Sequence, residues 1–197
     1  MKLASCAVIT ILAALALAAC GNGKPEVVKQ SESQPKERNK VLIAYFSHTG
    51  NTRAVATKIQ ELTGGDIFEI VPEKPYPKEY SQCVKVGRKE WEEKLRPALA
   101  DTLASAAEYG TVFVGYPNWF GTMPMAVFTW LESVDLAGKA VVPFCTHGGS
   151  RLGNSVDDIK ETVPEAKVLQ GLAIRGTEAN SSQPEIEAWL DKLGIRK

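Results

Sequence analysis

Three short segments of this chain concentrate residues suited to a charged, flat ligand. The first is Ser47-His48-Thr49-Gly50-Asn51-Thr52, which combines three hydroxyls with a glycine and has no lysine before Lys58. Between a buried strand and a helix, such a string presents the unpaired N–H groups and partial positive charge of a helix N-terminus, which suit a phosphate. It lacks the lysine and glycine spacing of Walker-type and dinucleotide loops. The expected ligand group is therefore one terminal phosphomonoester, held by the Ser47, Thr49 and Thr52 hydroxyls and local amides. The same residue types also favour ordinary helix caps, which is the competing interpretation.

The second segment, Pro117-Asn118-Trp119-Phe120-Gly121-Thr122-Met123-Pro124, sets two adjacent aromatics between a proline and a glycine. A large π-face there suits a heteroaromatic ring, or else plugs the end of a sheet. The third is Thr146-His147-Gly148-Gly149-Ser150, followed by Arg151 and Gly153; paired glycines let backbone approach a planar ligand closely. The two histidines, His48 and His147, both fall in these segments and could tune a ring or relay protons. No carboxylate or nucleophile stands at a telling sequence distance from either, so no catalytic residue is assigned. With Cys6, Cys20, Cys83 and Cys145 they form no metal-ligand spacing, and no metal is expected.

The elements that must position these segments alternate. Lys40 to Phe46 is a continuous apolar run, as in a strand buried on both faces of a parallel sheet. Further strands are expected at Asp66–Val71, Thr111–Tyr116, Ala140–Cys145 and Val168–Ile174, with Pro143 an awkward residue inside the fourth. Between them, Val55, Ile59 and Leu62 mark one helical stripe, and Val127, Trp130, Leu131 and Val134 mark another, with Pro124 at its start. Leu152, Val156, Ile159 and Val163 form a third, and Ile186, Trp189, Leu190 and Leu193 close the chain. Pro77–Leu95 is the weakest helical pattern, carried by Val84, Trp91 and Leu95 alone. This alternation predicts a doubly wound α/β sandwich over residues 40–197. Such sheets bind ligands beyond the carboxyl ends of their strands, where Phe46, Tyr116 and Cys145 lead into the three segments.

The string S-x-T-G-N-T after a first buried strand resembles the phosphate loop of flavodoxins, of the Flavodoxin_4 type, and the likeness extends through the later loops. It implies a three-layer sandwich with a five-stranded parallel sheet in the order 2-1-3-4-5, and FMN as cofactor. By that resemblance Ser47 to Thr52 would grip the phosphate, and Pro117 to Gly121 would line the isoalloxazine, with Trp119 or Phe120 packing on it. Gly121 would permit a peptide rearrangement on reduction, and Thr146 to Gly149 would meet the pyrimidine end. The implied function is electron transfer to a redox partner protein or small acceptor. An NAD(P)H-dependent FMN quinone reductase is the alternative, against which the absence of a dinucleotide motif leans. A non-redox binding module on the same fold is a third, weaker option.

The first forty residues are expected to be an address and a tether. Lys2, the apolar run Ala7–Leu17 and the small residues after it read as an export signal over 1–19. Leu17-Ala18-Ala19-Cys20 resembles the lipobox of bacterial lipoproteins, so Cys20 would carry the lipid and the polar segment 20–39 would be a flexible spacer. That places the domain at the cell envelope on a bacterial membrane, periplasm-facing in a Gram-negative cell. The chain has 23 basic and 23 acidic residues, and removing 1–39 leaves 18 against 20. A balance this even excludes a strong basic field for nucleic acid and departs from the acidity of familiar flavodoxins. Cys83 and Cys145 are expected as separate semi-buried thiols.

Overall fold

The computed structural model describes residues 40–103 and 106–196, so the expected signal, tether and Cys20 lie outside the described residues. The elements run β1 (Lys40–Tyr45), α1 (Asn51–Thr63), β2 (Asp66–Glu69), α2 (Tyr80–Glu92), β3 (Tyr109–Pro117) and α3 (Met125–Ser133). They continue through β4 (Ala140–His147), α4 (Ser155–Thr162), β5 (Lys167–Val168), β6 (Leu172–Arg175), a 3-10 helix (Gly176–Ser181) and α5 (Gln183–Leu193). Every strand pair is parallel, in the order β2-β1-β3-β4-β5, with β6 also on β4.

Successive residues of a strand face opposite sides, so a central strand must be apolar throughout. In β1, Leu42 and Ala44 join one core and Ile43 and Tyr45 the other. In β3, Val112, Val114 and Tyr116 oppose Phe113 in the same way. The first core is closed by Cys83 of α2, Trp130 and Leu131 of α3 and Ile159 of α4, the second by Val55 and Ile59 of α1 and Ile186, Trp189 and Leu190 of α5. Cys83 and Cys145 are both buried free thiols. Burial pushes the Cys145 thiol up to about 12, and burial followed by the charge of Glu90 raises Cys83, so neither is a ready nucleophile.

Two strands differ from expectation. β2 stops at Glu69, although the Ile70 amide still donates to the Tyr45 carbonyl at 2.7 Å. The fifth strand is split into β5, which pairs Ala140 and Val141, and β6, which pairs Phe144 to His147. The gap falls opposite Pro143, which has no N–H for a ladder. There the chain bulges, Gly171 packs by the Pro143 carbonyl, and Trp189 Nε1 donates to the Gln170 carbonyl at 3.0 Å. The weak pattern at Pro77–Leu95 is helical as α2, and Glu79 caps it by accepting from the Ser81 and Gln82 amides at 2.9 and 2.8 Å.

Candidate functional site

The β1–α1 loop is built by one hydroxyl. Ser47 Oγ accepts from the Gly50 and Arg53 amides, each at 3.2 Å, and curls the chain into α1. Gly50 stands just before the helix at φ 92°, and no side chain caps it. Helix geometry leaves the Asn51 and Thr52 amides without intrahelical acceptors, and no acidic side chain occupies the first turn. Two open amides and no first-turn carboxylate leave this helix start able to receive an anion, while Ser47 Oγ already takes the Arg53 amide. Thr52 is not free to serve it from above: it is buried, and its Oγ1 lies 2.9 Å from Thr146 Oγ1. That pair ties the first loop to the third from beneath.

The β3–α3 loop is a tight reversal in which the Trp119 amide and carbonyl exchange hydrogen bonds with Thr122 at 2.8 and 3.0 Å. Its two central residues, Phe120 and Gly121, have φ of 54° and 84°, and a phenylalanine there is unusual backbone. Asn118 fixes the loop to its neighbour: its amide donates to the Thr146 carbonyl at 2.8 Å, its Nδ2 to the Arg151 carbonyl at 2.9 Å, and its Oδ1 accepts from the Gly121 amide at 3.1 Å. The Gly121 carbonyl accepts from the Asn154 amide at 2.7 Å. Gly153 allows this approach, since a Cβ there would collide with the Gly121 carbonyl. A peptide rearrangement at Gly121 must therefore break one of these bonds.

The two aromatics part company. The Phe120 ring is partly covered, with the Arg88 guanidinium 5.0 Å from its centroid and Trp91 at 5.9 Å. Trp119 meets Tyr76, Phe46 and His48 at 5.0, 5.7 and 5.8 Å, all near right angles, with no ring among the described residues stacked parallel on it. Trp119 also lines both cavities at this edge of the sheet. One, of about 310 Å³, is bounded by Thr49, Asn51, Pro117, Asn118, Thr146, His147 and Gly148. The other, of about 480 Å³, is bounded by His48, Thr49, Pro117, Asn118, Phe120 and Gly148. They share Thr49, Pro117, Asn118, Trp119 and Gly148, and both volumes suit a ligand of cofactor size. Of the expected residues, Ser47, Gly50, Thr52, Gly121 and Gly149 shape the loops without lining either cavity.

Two groups of residues complete the walls and were not anticipated. Arg175 at the end of β6, with Gly176 and Thr177 after it, closes the smaller cavity. The rule that points to strand ends applied equally to the last strand, so this position was findable. Tyr80, Cys83, Val84 and Arg88 of α2 close the larger one. Arg175 Nη1 donates to the Gly148 carbonyl at 2.9 Å. Each cavity thus carries one arginine, and no carboxylate lines either.

A flat ligand with an anionic tail fits these walls. Among the described residues two buried side-chain polar atoms lack a partner, Trp130 Nε1 and His147 Nδ1. Only the second belongs to a residue that lines one of the two cavities. Burial, then the charges of Arg175 and Arg151, hold His147 below its ordinary value, so it stays neutral. No cluster of metal-ligating residues occurs among the described residues.

Comparison with known proteins places this geometry. The family model for flavodoxin, Flavodoxin_4, matches residues 40–193. A candidate flavoprotein of Bacteroides eggerthii is 35% identical, over 80% of this chain and 99% of that one, with a TM-score of 0.71. One from Bacteroides uniformis is 33% identical over 78% and 98%, with a TM-score of 0.68. A flavoprotein of Lactobacillus acidophilus solved in complex with FMN shares the fold at 21% identity, over 73% and 97%, with a TM-score of 0.57. No curated protein matches.

Proposed function

The chain belongs to the flavodoxin family, with FMN as its cofactor, and on that premise we propose that it is an electron-transfer protein of the bacterial cell envelope, held to a membrane by a lipid on Cys20. The observation that carries the electron-transfer reading is the pair of cavities meeting at Trp119, bounded by all three loops at the carboxyl edge of the sheet. When bound, FMN supplies the electron chemistry; the protein binds, orients and sets the local charge.

The α1 N-terminus and the Ser47–Thr52 loop receive the phosphate, and Arg175 adds the cation that the loop itself lacks. Trp119 offers the apolar surface for the ring, held by its contacts with Phe46, Tyr76 and His48. His147 lines the smaller cavity as a neutral imidazole, a group that offers the ligand a hydrogen bond rather than a charge. Apolar walls disfavour added negative charge and lower the reduction potential, while Arg88 and Arg175 act in the opposite sense.

The larger cavity supports a second reading, an NAD(P)H-dependent FMN quinone reductase, because it extends past Trp119 to Tyr80 and Arg88. An anaerobic reductive titration of the FMN-loaded protein, followed by visible absorbance, separates the two. A distinct long-wavelength band that peaks at half reduction is the result expected of a one-electron carrier. Direct passage to the fully reduced spectrum, with steady oxidation of NADH or NADPH by a quinone, would replace the carrier by the reductase.

A further inference from the structure

Charge is spread unevenly over this domain. Residues 74–96, which form α2 and its flanks, hold seven basic residues against four acidic ones, while the rest of 40–197 holds eleven against sixteen. All seven cations are exposed. Arg96 pairs with Glu132 at 2.7 Å and Arg88 reaches Glu92 at 3.9 Å, but Lys74, Lys78, Lys85, Lys89 and Lys94 have no ion pair among the described residues. Two of the other three carboxylates are engaged locally as well. Glu79 caps α2, and Glu90 is half-buried and accepts the Tyr76 hydroxyl at 2.6 Å. The face is therefore basic on a domain whose net charge is negative.

The same segment carries four of the six large apolar side chains exposed among the described residues, Tyr80, Val86, Trp91 and Leu95. Exposed aromatics among cations are the composition of an interface. The face is continuous with the cofactor site: Tyr80, Val84 and Arg88 line the larger cavity, and Trp91 rests on Phe120. An electron crossing this edge leaves or enters beside α2.

We propose that α2 and its flanks are the docking surface for an acidic redox protein, which meets this chain at the edge of the FMN site. The proposal rests on the FMN reading above. Its physical basis is that steering is governed by charges within a Debye length, about 10 Å at 0.1 M salt, so this face outweighs the net charge of the domain. Complementary charge sets the encounter rate and register more than the final affinity.

Small oxidants of opposite charge probe this surface without knowledge of the partner. The full-length FMN-loaded chain, in non-ionic detergent and photoreduced without oxygen, is mixed with ferricyanide or with hexaammineruthenium(III). Each fully reduced flavin consumes two equivalents of either one-electron oxidant. The ferricyanide rate is expected to fall, and the ruthenium rate to rise, between about 10 mM and about 300 mM salt. The exposed pair Lys85→Glu/Lys89→Glu should slow ferricyanide about five-fold at low salt, whereas Lys167→Glu/Lys192→Glu, with the same change in net charge, should change it less than about two-fold. The opposite salt trend, or equal effects of the two pairs, would overturn the proposal. So would binding of the unlipidated Cys20→Ser chain, free of detergent, to phosphatidylglycerol vesicles that is lost on adding Lys85→Glu/Lys89→Glu while the ferricyanide rate is unchanged; that result assigns the face to a membrane. Failure of the wild-type chain to take up FMN would instead remove the reading on which the proposal stands.

Discussion

At the scale of the residue, Trp119 and Phe120 were equivalent in the sequence and differ in the fold. Adjacent aromatics in one loop carry no signal for which of them turns toward a ligand, because the choice is made by partners far away in the chain. Arg88 and Trp91 pack against Phe120, which lines only the larger cavity, while Trp119 lines both. Trp119→Ala is expected to weaken FMN binding by about 2 kcal/mol, roughly thirty-fold, by fluorescence titration, and Phe120→Ala by less than about three-fold. Similar losses for both would return the ring to the Phe120 side. His147 adds a pH dependence. Unfolded, its imidazole takes a proton near the ordinary value of 6.5; folded, it does so only at lower pH. As pH falls through that interval the unfolded state binds more protons, so stability is lost there, and the loss levels off below the folded value. Urea unfolding from about pH 8 to about pH 5 should therefore show a shallower decline for His147→Gln than for the parent.

At the scale of the element, β1, β3 and β4 were legible because they are apolar toward both cores, and the helices α1, α3 and α5 because each buries a regular apolar stripe in one of them. α2 was the faintest for a physical reason. Its inward residues are Cys83 and Gly87, since it packs on an aromatic loop rather than into the sheet, and a Cβ at Gly87 would stand 3.1 Å from Trp119. A glycine inside a helix costs about 1 kcal/mol against alanine, so close packing is what this position supplies in return. Gly87→Leu is expected to keep α2 helical by far-ultraviolet circular dichroism yet weaken FMN binding at least about ten-fold, by pushing on the Trp119 ring. Unchanged affinity would mean that α2 yields instead. The split of the last strand was hidden for a different reason: Pro143 lies in β4, and its effect appears on the neighbour that must pair with it. Arg175 stands at the end of that strand, one residue past its expected limit at Ile174, where the strand-end rule also points.

At the scale of the whole molecule, alternation of apolar runs and helical stripes was enough to predict the layers, and the strand-end rule then located the loops. What composition could not show was the uneven placement of charge, since a near-even total says nothing about which face each residue occupies. The proposed lipid anchor belongs to this scale as well. Replacing Cys20 by Ser is expected to move the protein from the membrane fraction to the soluble fraction on cell fractionation and to abolish palmitate labelling; unaltered fractionation and labelling would remove the anchor from the proposal.

The two outer positions of the sheet are occupied by the four-residue β2 and by the interrupted β5 and β6. A long, flat edge is a template on which another chain can add a strand, and short or broken edges are a protection against it. Pro143 thus does more than interrupt a ladder: by splitting its neighbour it blunts one margin of the sheet. Copies crowded side by side would find little exposed backbone through which to zip together.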